Sequence, residues 1–136
     1  DFEIINYNIS SPNFITNQKI SKKIQKISNS NTKNENISNK IIVIENADPG
    51  YDWIFTKKPA GLITKYGGIA SHMAIRCAEL RLPAAIGIGE IIYEKIDDAE
   101  KILLDCDNKQ IIVLEKFKNK EFVEEKKILK SLGYIK

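Results

Sequence analysis

The sequence predicts an α/β domain in which a parallel β-α-β core is followed by an antiparallel hairpin. Three observations support this class. A run of β-branched residues at 40–45 is typical of a strand that is buried on both faces. A helix-forming segment at 71–81 separates two apolar strands, as parallel pairing requires. Two apolar runs at 101–105 and 110–115 flank a short polar loop, which favours a hairpin.

Length and composition indicate one domain. The chain has 136 residues, 43% hydrophobic and 29% charged, which suffices for a core but not for an added nucleotide-binding kinase unit. The net charge of +3 is slight and the lysines are spread along the chain, so we expect no nucleic-acid partner. Apolar runs are too short to span a bilayer and no signal segment begins the chain. We therefore expect no membrane contact and a cytoplasmic location.

The first forty residues give the weakest signals. Residues 1–19 show little periodicity, the isoleucines of 20–27 fit a strand or a short helix, and 28–40 is rich in turn-forming polar residues. Because the chain begins without methionine, we expect a fragment of a longer polypeptide. The predicted segments are 1–39 as a lead-in strand and polar linker, 40–116 as the main domain, and 117–136 as a C-terminal helix that packs on the domain or on a partner.

The main domain is predicted to alternate strands and helices. Asp48 fits the N-cap of a helix that follows the first strand, because proline comes next. A second strand at 61–64 leads into a glycine turn and the helix at 71–81. A third strand at 83–89 and a helical turn at 91–96 complete the order of elements before the hairpin.

The helix after the glycine turn is expected to lie close on the sheet, because it carries small residues such as Cys77. Its larger apolar residues, Met73, Ile75 and Leu80, are expected to belong to the core. Cys77 and Cys106 lack the spacing of metal ligands, so we expect two buried and reduced thiols.

The only histidine, His72, begins that helix after Gly67-Gly68 and Ser71. Adjacent glycines leave room for a ligand at the main chain, serine is a favourable N-cap, and the N–H groups and dipole of a helix start attract phosphate. Neutral imidazole is a competent nucleophile toward phosphorus. On these local grounds His72 is a candidate catalytic residue, with Gly67, Gly68 and Ser71 as candidate phosphate-binding residues. A histidine near a helix cap is more often a surface or hydrogen-bonded residue, so both interpretations stay open at this point.

Other residues around the histidine receive lesser roles. Thr64 is expected to hydrogen-bond the imidazole or to brace the loop. The sequence has no glycine-rich phosphate loop ending in Lys-Thr or Lys-Ser, and no acidic pair evidently placed to hold magnesium against His72. We expect no metal site and no cofactor in this domain. Alternatively His72 is structural, and the chain is then a non-catalytic swivelling or docking module.

Several segments together resemble the phosphohistidine signature of the PEP-utilising enzyme mobile domain. That family includes pyruvate phosphate dikinase, phosphoenolpyruvate synthase, Enzyme I of the bacterial sugar phosphotransferase system, glucan water dikinase and rifamycin phosphotransferase. Asp52-Trp53 also resembles the family's Pro-Asp-Trp element, with Tyr51 where proline is usual. The resemblance covers about residues 40 to 115 and rests on 61–64, Gly67-Gly68, Ser71-His72, Glu79-Leu80 and 82–87.

The resemblance implies a three-layer β/β/α swivelling fold with a parallel sheet, an antiparallel hairpin layer and helices on one face. It implies that 40–116 is the phosphohistidine domain of a phosphotransferase and is not active alone. His72 is then expected to take a phosphoryl group from ATP or phosphoenolpyruvate and to relay it. The implied partners are an ATP-grasp nucleotide-binding domain and a substrate domain of the parent polypeptide, which are also expected to hold the Mg²⁺.

Two positions depart from the family pattern. Ala70 stands where the family usually has threonine, which removes one hydroxyl from the expected phosphate shell. Ala78 stands where the family helix usually has arginine, and Arg76 lies two residues earlier on a different face. We include Ala70 and Arg76 as supporting residues. Arg76 is expected to contact phosphate, a partner domain or, as the first expectation, only solvent.

Two further interpretations stay open. A small doubly wound domain has a similar order of elements, although the glycine turn lacks the third glycine of a dinucleotide site and no acidic residue ends the next strand. A free-standing phosphocarrier is expected to use the same histidine without a parent polypeptide.

Overall fold

The computed structural model describes residues 3–5, 12–27 and 37–116. These residues form a mixed α/β fold, which confirms the fold class predicted from the sequence. The elements in chain order are β1 (Glu3–Ile5), β2 (Asn13–Ile15), β3 (Lys19–Lys26), β4 (Ile41–Asn46), a 3₁₀ helix (Pro49–Lys57), β5 (Gly61–Tyr66), α1 (His72–Glu79), β6 (Ala84–Ile86), α2 (Glu90–Ile96), β7 (Ala99–Asp105) and β8 (Gln110–Lys116).

The eight described strands join in the order β1-β8-β7-β3-β4-β5-β6-β2. Strands β4, β5 and β6 are parallel, which confirms the predicted β-α-β core. Strands β7 and β8 form the predicted antiparallel hairpin, with Asp105 opposite Gln110. Strand β3 connects the two parts, because its first residues pair antiparallel with β7 and its last three pair parallel with β4.

The segment before residue 40 contributes strands to this same sheet. The question of strand or helix at 20–27 is resolved in favour of a strand, since β3 spans Lys19–Lys26. Its isoleucines Ile20 and Ile24 pack against the core, whereas the alternate residues point away. Strand β2 pairs with β6 at the sheet edge. The division of the chain at residues 39 and 116 stays a prediction, and the predicted C-terminal helix at 117–136 lies outside the described residues.

Two buried clusters lie on opposite faces of the parallel strands. Successive residues of β4 alternate between the clusters, as the two-residue period of a strand requires, so β4 is buried on both faces as predicted. One cluster combines the parallel strands with β7, β8 and α2 and includes Val43, Ile63, Ala85, Ile102, Ile111 and Tyr93. The other combines them with α1 and the 3₁₀ helix and includes Ile42, Ile44, Leu62, Met73, Cys77 and Ile54.

Helix α1 packs on the sheet through a narrow face. Met73, Ala74 and Cys77 are its buried residues. The expectation that Ile75 and Leu80 belong to the core is wrong, because their exposed fractions are 48% and 49%. Ile75 lies on the side of the helix away from Cys77, and Leu80 is the C-cap beyond the last helical residue. The helix also ends at Glu79 rather than near residue 81.

Both cysteines are free and buried, as predicted. Burial raises the pKa of the Cys77 thiol to about 12 and that of Cys106 to about 11, so neither forms a reactive thiolate near neutral pH. Among the helices in the described part of the chain, none has the length and apolar character that crossing a lipid bilayer requires.

We predict that Asp105→Asn lowers stability at pH 7 by about 1 to 3 kcal/mol. The Asp105 carboxylate is 2% exposed and accepts hydrogen bonds from the Asn108 backbone N–H at 3.1 Å and from Asn108 Nδ2 at 2.8 Å. The Asn108 side chain is the largest cause that holds the pKa of Asp105 below its ordinary value. The measurement is the free energy of unfolding in denaturant titrations.

This contribution has a defined pH dependence. Because the folded pKa of Asp105 is lowered, the carboxylate stabilises the fold fully above the ordinary aspartate range near pH 4 and loses that effect as the pH falls toward the folded value. The difference in free energy of unfolding between wild type and Asp105→Asn therefore becomes smaller from pH 6 to pH 3. Exposed Asp107→Asn in the same loop is the matched control, and a gap that stays constant with pH contradicts the prediction.

Candidate functional site

The candidate site lies where the three parallel strands end. The turn after β5 carries Gly67 and Gly68, and α1 begins at His72 after five intervening residues. Ser71 is the N-cap, as predicted, and its hydroxyl accepts the Ala74 backbone N–H at 3.3 Å. The first residues of any α-helix have no carbonyl four positions earlier within the helix, so their N–H groups point outward at its start. His72 therefore stands at an electropositive helix end with 42% of its side chain exposed.

The two glycines of the turn have different surroundings. Gly67 has φ +131°, and a Cβ at this position would lie 2.6 Å from the Cβ of Ala47 and 3.3 Å from Cγ2 of Ile86. Gly68 has open space where a Cβ would stand. The first glycine thus lets the turn pack against the neighbouring strands, whereas the second leaves the main chain open to a ligand.

Thr64 fixes the neighbouring turn. Its side chain is fully buried, and its hydroxyl accepts the Gly87 backbone N–H at 3.0 Å. The Thr64 carbonyl accepts from Gly87 and Ile88 as well, at 3.1 and 3.0 Å. A Cβ on Gly87 would overlap the Gly67 carbonyl oxygen. Thr64 therefore binds the turn after β6, against which the Gly67 turn packs.

The imidazole of His72 is hydrogen-bonded to a carboxylate from the 3₁₀ helix. Asp52 Oδ1 lies 2.9 Å from His72 Nε2 and 3.2 Å from Arg76 Nε. His72 and Arg76 are one helical turn apart and share a face of α1. The hydrogen bond from His72, together with Arg76, outweighs burial and holds the pKa of Asp52 below its ordinary value. A carboxylate only accepts hydrogen bonds when ionised, so the ring presents Nε2–H to it.

Arg76 is held by several groups. Its guanidinium lies 5.3 Å from the centre of the Phe55 ring and its Nη1 lies 3.8 Å from Glu79 Oε2. The expectation that Arg76 contacts only solvent is wrong. Sequence reasoning placed it on a solvated face because it lacked the position of the 3₁₀ helix, which brings both Asp52 and Phe55 against α1.

The predicted site residues fall into two groups. His72, Ser71, Ala70 and the two glycines form one continuous loop and helix start, and Arg76 follows one turn later. Thr64 lies beneath this surface, in the sheet. Sequence reasoning missed Asp52 as a member of the site, although the Asp52-Trp53 pair had already stood out as a family element and was the signal that pointed to it.

Among the described residues, no group of three or more His, Cys, Asp or Glu side chains is arranged to hold a metal ion. The chemistry that the arrangement supports is that of a single exposed imidazole at a helix start, with one carboxylate and one guanidinium beside it. This set defines the class of the domain: a mixed α/β domain that presents one exposed histidine at a helix start, next to an open glycine turn.

The family model of the PEP-utilising enzyme mobile domain matches residues 37–109, which is more than half of the chain. The chain belongs to this family. The described site lies within the matched range, from Asp52 to Gly87.

Relatives include the phosphoenolpyruvate synthase of Aquifex aeolicus (strain VF5), 39% identical over 66 residues, which are 48% of this chain and 8% of that protein. The phosphoenolpyruvate synthase of Escherichia coli (strain K12) is 33% identical over 66 residues, again 48% of this chain and 8% of that protein. The phosphoenolpyruvate-protein phosphotransferase of Haloferax volcanii is 33% identical over 57 residues, 42% of this chain and 10% of that protein. The matched part thus spans a tenth or less of these relatives' length.

Among solved structures, a UPF0107 protein determined by NMR in solution superposes with a TM-score of 0.59 at 13% identity, covering 78% of this chain and 98% of that one. At this identity the similarity concerns the fold alone.

We predict that Gly67→Ala destabilises the domain by about 1 to 3 kcal/mol, because the new Cβ meets Ala47 and the backbone has positive φ. Gly68→Ala is the matched control and is expected to stay within about 0.5 kcal/mol of wild type. Thermal unfolding followed by circular dichroism measures both. Equal losses in the two variants contradict the assignment of Gly67 as the packed glycine and Gly68 as the open one.

Proposed function

We propose that this chain is a phosphohistidine carrier domain in which His72 is transiently phosphorylated and relays the phosphoryl group between two sites on other domains. The observation that carries this proposal is the placement of His72. The exposed imidazole begins a helix at the ends of three parallel strands, directly after a turn with open space at Gly68. Membership of the PEP-utilising family, whose relatives include a phosphotransferase and two phosphoenolpyruvate synthases, supports it.

The chemistry proposed for His72 is nucleophilic transfer. A ring nitrogen donates its lone pair to phosphorus, the N–P bond forms, and the bond from phosphorus to its leaving group breaks with that group keeping the electron pair. Gly67, Gly68 and Ser71 bind the phosphoryl oxygens through the turn and the helix start. A well-aimed N–H or hydroxyl donor contributes about 2 to 4 kcal/mol to such a transition state. Thr64, Ala70 and Arg76 support this surface.

The proposed partners lie on the same polypeptide. We place the phosphoryl donor, ATP or phosphoenolpyruvate with its Mg²⁺, on an ATP-grasp nucleotide-binding domain and the acceptor on a substrate domain, and we propose that the carrier is inactive alone. The length of the relatives, of which the match covers a tenth or less, supports other domains. We further propose a three-layer β/β/α swivelling body in the cytoplasm. Two buried clusters on opposite faces of β4–β6 support the layers.

A docking module without catalysis is the second candidate. Four exposed apolar side chains are compatible with contact to another protein surface, namely Tyr66, Ile69, Ile75 and Leu80, with exposed fractions from 45% to 67%. In this alternative His72 is structural and serves to hold Asp52. The two candidates differ in whether His72 ever carries phosphate.

We predict that the full-length protein transfers label to His72 from one of three donors: γ-labelled ATP, β-labelled ATP or labelled phosphoenolpyruvate. The product is acid-labile and alkali-stable, as a phosphoramidate must be. His72→Ala is expected to abolish the label on this domain, because His72 is the only histidine among its 136 residues. Asp107→Asn, an exposed change in the hairpin loop, is the matched control and is expected to label like wild type. Equal label on His72→Ala, or an active protein without label, rejects the carrier function and leaves the docking module.

A further inference from the structure

One carboxylate oxygen is shared by the two polar side chains of α1 that face the 3₁₀ helix. Asp52 Oδ1 accepts from His72 Nε2 at 2.9 Å and from Arg76 Nε at 3.2 Å. His72 Nε2 and Arg76 Nε are therefore directed at the same position, which the negatively charged Asp52 Oδ1 occupies.

We propose that Asp52 Oδ1 marks the place of a phosphoryl group on His72 Nε2, and that phosphorylation transfers Arg76 from Asp52 to that group. The proposal rests on the carrier function proposed above. A phosphorus atom bonded to Nε2 takes the direction of the hydrogen that Asp52 now accepts, so the carboxylate and the phosphoryl group exclude each other. The phosphoryl oxygens around that direction lie within reach of the Arg76 guanidinium.

Arg76 is prepared for this exchange. Its guanidinium is held against the Phe55 ring at 5.3 Å and toward Glu79 at 3.8 Å, so it keeps its position when Asp52 withdraws. A phosphoryl group carries more negative charge than a carboxylate and has three acceptor oxygens. Arginine pairs strongly with such groups. The exchange therefore gives Arg76 a better partner than the one it loses.

Asp52 opposes the start of the reaction. Before Nε2 attacks, its proton passes to solvent and Nδ1 takes a proton from solvent, which leaves the ring neutral with its lone pair on Nε2. The N–P bond then forms as the bond to the leaving group breaks. Asp52 favours the tautomer that keeps the proton on Nε2, and its negative charge repels the arriving phosphoryl donor. Asp52 is thus a positioning residue that holds the unmodified ring and slows its phosphorylation.

The test uses the 136-residue chain and phosphoramidate, a chemical donor that transfers its phosphoryl group to imidazole and releases ammonia. ³¹P spectra follow the rate of phosphohistidine formation, with His72→Ala as the blank. Asp52→Asn is expected to raise the initial rate about two- to fivefold, the range that an exposed ion pair supports. Arg76→Gln is expected to lower it by a similar factor, and Asp107→Asn is expected to match wild type.

A second readout needs no variant. In ¹H–¹⁵N spectra of the wild-type chain, phosphorylation is expected at Nε2 and is expected to move the Arg76 Nε–H resonance. Attachment at Nδ1, an Arg76 resonance that does not move, or rate changes of the same sign in Asp52→Asn and Arg76→Gln each overturn the exchange. They leave the carrier function intact if donor label reaches His72 in the full-length protein, whereas absence of that label overturns the carrier function itself.

Discussion

The contact between the turns that follow β5 and β6 is the constraint on which the rest of the site depends. Thr64 accepts the Gly87 N–H through both its hydroxyl and its carbonyl, and the Gly67 carbonyl oxygen lies where a side chain on Gly87 would stand. The close approach requires glycine at position 87, whereas Gly67 is required by its positive φ and by the nearness of Ala47. The approach fixes where the chain leaves the sheet, and therefore where α1 begins and where its first residue, His72, is presented.

The parts of the fold that were predicted correctly are those specified by short stretches of sequence. Local signals were sufficient for the parallel core, because β-branched runs, the Ser71 cap and the glycine turn each act over a few neighbouring residues. The hairpin followed from two apolar runs and a short polar loop in the same way. The early strands were harder, since β2 and β3 pair with β6, β4 and β7. Those partner strands lie later in the chain, and the local hydrophobic pattern does not indicate which strands will pair.

The sequence predicted the part of the candidate site that lies in one continuous segment of the chain. The residues from Gly67 to His72 are contiguous, so their proximity is certain from the sequence. Asp52 is 20 residues from His72 and reaches it only because the 3₁₀ helix folds back over α1. The same packing gives Arg76 its partners, and it leaves Ile75 on the open side of the helix. Contacts between two helices depend on how both rotate against the sheet, and no spacing within one helix determines that.

The strength of the Asp52 contacts fits the proposed exchange, in which Asp52 has to release His72 each time the histidine is phosphorylated. The Asp52 and His72 side chains are 47% and 42% exposed, and ion pairs in such surroundings contribute at most about 1 kcal/mol. A buried carboxylate in the same place would hold the imidazole more firmly, but separating it from His72 and Arg76 would cost much more free energy. In the proposed exchange an exposed carboxylate orients the ring of the unmodified histidine, and its displacement costs little free energy. Because water solvates both Asp52 and Arg76 when they separate, the exchange needs no rearrangement of the core beneath Thr64.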